Sequence, residues 1–176
     1  ENLKFLRRTG MYLKVSNPLS VMRTQEGSPY LNLLRKNGLL GPRTKDLVFY
    51  EAEFKDPRVK KAAKIADDWV NDIYEFIFGL KNEVAITTSD GKSNGNNSES
   101  VQRLLFDFRE LEMEMIEAIT VTLLKDEEAE LKIEVKSFLT RREDLIRKAK
   151  EFASNGMLDR RNGNLIQAAD SLLNHK

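Results

Sequence analysis

Residues 96–155 contain neither glycine nor proline. A run that long without a helix breaker confines this part of the chain to helix, because sheets are built from short strands joined by turns that draw on those two residues. Apolar positions inside the run keep a three-and-four spacing. Val101, Leu104, Phe108, Leu111, Met115, Ala118 and Thr122 form one seam, and Leu131, Val135, Phe138, Arg142, Leu145, Ala149 and Phe152 form a second in a shifted frame. A single rod of this length would extend about 90 Å and could not bury both seams in one small domain. The frame changes near Lys125-Asp126-Glu127-Glu128, where Asp126 is placed to cap a new helix and the two glutamates suit its amino-terminal dipole. The pattern therefore predicts helices near 99–124 and 127–154, joined by a tight turn at 124–128. Thr140-Arg141-Arg142-Glu143 fits a capping box, which predicts a kink or restart within the second of them.

A third seam precedes these two. After the start signal Asp56-Pro57, the residues Val59, Ala62, Ala66, Trp69, Ile73, Phe76 and Leu80 repeat the heptad spacing, giving a helix near 57–81. The polar run that follows is expected to be a mobile surface loop at 87–98. Gly156 ends the last long helix, and residues 164–173 read as a short closing helix. Two stretches, 47–54 and 84–88, have strand-like composition; they either pair as a minor two-stranded ribbon or serve as extended linkers.

Residues 1–45 are different in character. They carry nine Lys/Arg against two acids, a balance of +7, whereas residues 46–176 sum to −6, so the net charge of +1 conceals a basic arm on an acidic body. Asn17-Pro18, Gly27-Ser28-Pro29 and Gly38 to Gly41-Pro42 mark the arm as partly irregular. Its one well-signalled helix lies near 29–37, with Ser28 as cap, Pro29 at the first position and Gly38 as terminator. The expected division is a basic arm over 1–45 and a helical domain over 46–176. The expected fold is all-α: an antiparallel bundle of three long helices plus short ones.

Composition removes several kinds of chemistry. There is no cysteine for a disulfide or thiolate zinc site, and the single histidine, His175, cannot supply the paired Glu-x-x-His ligands of a di-iron bundle. No apolar run approaches the roughly 20 residues of a membrane span. Gly38 to Lys45 has glycines but lacks the Walker spacing, with Pro42 where a lysine is required. Serines and threonines have no histidine base to form a hydrolase arrangement.

Two constellations remain. Asp107, Glu110, Glu114 and Glu117 are spaced three, four and three apart on one helix face, with Glu127, Glu130 and Glu134 near the start of the next helix. Such facing carboxylates are the ligand type for Mg²⁺; alternatively they are a solvated face laced by Arg103, Arg109 and Lys125 as surface ion pairs. In the arm, Lys4, Arg7, Arg8 and Lys14 surround Phe5 and Tyr12, while Arg35, Lys36, Arg43 and Lys45 follow Tyr30. Cations interleaved with aromatics suit phosphate and base contacts, or an acidic protein surface belonging to a partner or to the chain's own body. Trp69 is a core residue or an interface anchor. Arg142, in an otherwise apolar seam, snorkels, marks the restart at Thr140, or pairs with an acid of the preceding helix.

These features predict a non-enzymatic helical adaptor or accessory subunit of a larger assembly, without cofactor, docking through its basic amino-terminal arm, an amphipathic helix face or both on a partner with an acidic surface; homo-oligomerisation stays open. The alternatives are a nucleic-acid-binding accessory protein using the arm, and a Mg²⁺-dependent phosphohydrolase-like enzyme using the acidic face. The expected setting is intracellular and soluble, cytoplasm or organelle interior, with Glu1 compatible with a processed amino terminus.

Overall fold

The computed structural model describes residues 2–13, 23–44, 49–89, 95–125, 127–157 and 163–174. In chain order these form α1 (Asn2–Thr9), a 3-10 turn (Met11–Leu13), β1 (Arg23–Gln25), α2 (Pro29–Lys36), β2 (Leu40–Arg43), β3 (Phe49–Ala52), α3 (Pro57–Ser89), α4 (Gly95–Leu124), α5 (Glu128–Ser154) and α6 (Gly163–Asn174). The three long helices lie at the expected places and pack against one another, with α4 between α3 and α5, and α6 on both α3 and α5.

Cross-helix pairs fix the directions. Phe76 and Phe108 meet with ring centroids 5.3 Å apart at mid-length of α3 and α4. Thr122 donates to Glu134 at 2.6 Å, Arg141 reaches Glu114 at 2.6 Å, and Lys148 lies 3.7 Å from Asp107. These pairs advance along α5 in heptad steps while they retreat along α4, so the two helices are antiparallel. The connection is the expected tight turn, closed by the Glu127 amide donating to the Thr122 carbonyl at 3.2 Å; Asp126 lies outside the described residues.

The seam on α4 is buried from Val101 through Met115, but so are Met113, Ile116, Ile119 and Leu123, which lie off it. A helix that hides more than one stripe has neighbours on more than one side. On α5 the seam is only half-covered: Leu131, Arg142 and Ala149 are buried, and Ile146, off the expected register, is buried too. Arg142 neither snorkels nor pairs with α4. Its guanidinium lies 4.6 Å from the centre of the Trp69 ring, and Nη2 is 3.6 Å from Asp72 on α3.

Four expectations are corrected. The helix does not restart at Thr140: α5 is continuous, and the Thr140 hydroxyl donates to the Lys136 carbonyl one turn back, satisfying itself inside the helix. Residues 87–89 and 95–98 are helical rather than loop, because α3 runs to Ser89 and α4 begins at Gly95; residues 90–94 lie outside the described residues. Residues 84–88 are helical rather than extended: Glu83 is buried and Val84 packs against the core, so tertiary contact overrides the β preference of Val-Ala-Ile-Thr-Thr. The strand partners of 49–52 come from the arm, in a three-stranded antiparallel sheet of order β1-β3-β2.

That sheet joins both sides of the expected division at residue 45. Pro42, which has no amide proton, is tolerated because β2 is an edge strand whose register shifts between Leu40 and Arg43. Above the sheet, α2 follows its signals: the Ser28 hydroxyl caps the Tyr30 amide, and Gly38, at φ +64°, closes the helix as the Leu39 amide donates to the Leu34 carbonyl. At Gly79 on α3 a Cβ would stand 3.0 Å from Leu165, so the missing side chain is what lets α6 settle on α3.

Phe108 is fully buried at the centre of the helical core. Phe108→Ala is expected to cost about 3–5 kcal/mol, read from urea unfolding followed by helical circular dichroism. A loss below about 1 kcal/mol would mean that this ring is not packed as described.

Candidate functional site

The two constellations meet. Arg7, at the end of α1, turns towards α4 and donates through Nε and Nη2 to Glu117 at 3.1 and 3.0 Å and through Nη1 to Glu110 at 2.5 Å. The Tyr12 hydroxyl bonds the other oxygen of Glu110, and the Arg7 guanidinium lies 5.1 Å from the centre of the Tyr12 ring. Hydrogen bonding to Glu117 strengthens the hold of Arg7 on its proton, although burial opposes this. Glu110 and Glu117 are seven apart on α4, two turns along one face, and their carboxylates converge on different nitrogens of the one guanidinium. The back of α4 is thereby closed by the amino-terminal segment.

The other two acids of the stripe are also committed. Asp107 accepts from Arg103 at 2.9 Å and lies near Lys148, and Glu114 is held by Arg141. The carboxylates therefore fasten α1 and α5 to α4. Each is neutralised by a cation, and among the described residues no cluster of three or more acids or histidines converges as a metal site would require.

Lys4, Arg8, Lys36 and Arg43 are exposed and make no ion pair with an acid of the described residues. Arg8 lies over one face of Phe5 at 6.0 Å, with that ring still about half exposed, and Arg43 lies over one face of Tyr50 at 5.1 Å. Arg35 is 3.4 Å from Glu26 on the surface. Lys14 and Lys45 lie outside the described residues. Trp69 is 4% exposed and belongs to the core, out of reach of a partner.

One group of charges is not where the sequence put it. Arg109 is not a surface residue: its side chain and that of Glu112 are 6% and 5% exposed, and they pair at 2.6 Å. They line a cavity of about 90 Å³ together with Lys81 and the α3 residues Ile73, Tyr74 and Phe78. Tyr74 and Phe78 stack at the mouth, 6.3 Å apart and 14° from parallel. Burial pushes the Glu112 carboxyl up against the opposing pull of Arg109 and Lys81. Burial, reinforced by Arg109, lowers Lys81. The signal available beforehand was the pair of off-seam apolar residues Met113 and Ile116, four and seven positions after Arg109 and so on the same helix face as its side chain.

Two outcomes follow. Arg7→Ala should release the amino-terminal segment at a cost of about 1–2 kcal/mol, seen as faster amide exchange over residues 2–13 with the exchange of α4 and α5 nearly unchanged. Unaltered exchange over 2–13 would show that the Arg7 contacts do not hold it. For Glu112, the native state binds its proton more tightly than the unfolded chain, whose carboxyl titrates at about 4.3. Stability should therefore fall as pH rises from there through the native titration, and Glu112→Gln should remove that part of the slope in a pH series of urea unfolding curves. An identical slope in both proteins would contradict the upward displacement. Among protein-family models, curated proteins and solved structures, none matches this chain.

Proposed function

We propose that the protein is a helical adaptor or accessory subunit that docks on an acidic protein surface through the exposed cations of α1, α2 and β2. The observation that carries this reading is the way the arm divides its cations. Arg7 is turned inward and anchors α1 on Glu110 and Glu117, while Lys4, Arg8, Lys36 and Arg43 are left exposed without an acid partner among the described residues. On α2, the exposed Tyr30 and Leu33 stand beside Lys36, so apolar area and positive charge occur together. Tyrosine is enriched at interface centres, and unpaired surface charge steers an oppositely charged partner. Neutralised carboxylates on α4 favour this reading over the Mg²⁺-dependent one.

The test is an affinity pull-down from the native source, treated with nuclease, using the intact chain and a variant with Lys4, Arg8, Lys36 and Arg43 all changed to glutamate. An acidic partner recovered by the intact chain, weakened by added salt and lost with the variant is the expected result. Recovery of the same partners by the variant would overturn the proposal. Loss of all partners on nuclease treatment would transfer the arm to the nucleic-acid reading.

A further inference from the structure

We propose that the cleft bounded by α1, the first turns of α3 and the last turns of α4 binds a monomeric anionic amphiphile, a long-chain carboxylate being the simplest member of the class. The cleft measures about 590 Å³, within the roughly 300–1,000 Å³ typical of small-molecule sites. Its floor is Ala62 and Leu123, both buried in the core. Around it stand Val59, Val121 and Leu124, which are 39%, 51% and 56% exposed. These three large apolar side chains turned to water around one concavity are the lining that an apolar ligand would cover.

The polar groups at the cleft set the rest of the ligand. Thr120 satisfies its own hydroxyl by donating to the Ile116 carbonyl at 2.7 Å. Both carboxylate oxygens of Glu117 are taken by Arg7. Arg58 is held by Asp56 at 2.8 Å. Lys4 is the cation at the rim that no acid of the described residues engages. The interior therefore offers apolar contact and no orphaned polar partner, and the mouth offers one ammonium. An apolar tail with a single anionic head is the complement of that pattern, and a concave site with one cation suits a dispersed molecule better than a flat anionic membrane.

Dodecanoate, kept below its micellar concentration, is titrated into the full chain by calorimetry and by displacement of anilinonaphthalene sulfonate. One equivalent should bind saturably. Val121→Asp, at an exposed position, should weaken binding about tenfold or more while leaving helical circular dichroism unchanged. Lys4→Glu should weaken dodecanoate about fivefold and leave 1-dodecanol unaffected. The combined Arg8, Lys36 and Arg43 to glutamate variant should bind dodecanoate as the parent does, which separates this site from protein docking. The proposal is overturned if dodecanoate does not saturate, if Val121→Asp binds normally, or if Lys4→Glu acts equally on acid and alcohol. It is equally overturned if only phosphatidylglycerol vesicles bind, or if sedimentation shows a dimer that Val121→Asp dissociates.

Discussion

Enclosure of α4 organises the molecule. A helix in water ordinarily hides one stripe and solvates the rest. Here the stripe facing α3 and α5 carries Leu104, Phe108, Met115 and Ile119, and Met113, outside the main core cluster, is fully buried as well. Along the middle of α4 the remaining surface carries Asp107, Glu110, Glu114 and Glu117, and a row of carboxylates can be covered only by elements that bring cations. Arg7 brings them from α1, and Arg141 and Lys148 from α5. The opposite charges of the two parts of the chain thus have a structural use in joining arm to bundle.

Two arginines are taken inside this arrangement. Moving a guanidinium out of water costs several kcal/mol, and a single ion pair does not reliably return it. Arg142 spreads the cost over the Trp69 ring and the exposed carboxylate of Asp72, and it can do so only when α5 lies on α3 in one register. Arg109 is paired with Glu112 one turn along its own helix. The first arrangement specifies an interhelical position. The second places charge at a cavity wall beside Tyr74 and Phe78, where the local field differs from that of the surrounding apolar core.

The positions of the long helices, the cap at Ser28, the stop at Gly38 and the turn near residue 126 could all be read from the chain, because each rests on local spacing or local backbone chemistry. The extension of α3 through residues 84–89 could not, since Val84 owes its helical state to the core it packs against. Nor could the continuity of α5 across Thr140: the capping-box residues are the same whether the hydroxyl caps a new helix or bonds back within an old one. Of the candidate site, the residue types were legible and their relation was not. Asp107, Glu110, Glu114, Glu117 and Arg7 stood out separately, yet nothing in the spacing of Arg7 from Glu110 signals that they touch.

The sequence by itself determined the helical class, the number of long helices and the segregation of charge, because periodicity, breakers and composition act over a few neighbouring residues. Only the tertiary structure decided which faces became solvent. It made the acidic stripe a fastening for the arm, put Arg109 and Trp69 inside, built a sheet from β1, β2 and β3, and left Lys4, Arg8, Lys36 and Arg43 facing outward. The physical reason is that burial and ion pairing depend on what another part of the chain places within a few ångströms, and that distance is set by the packing of whole helices.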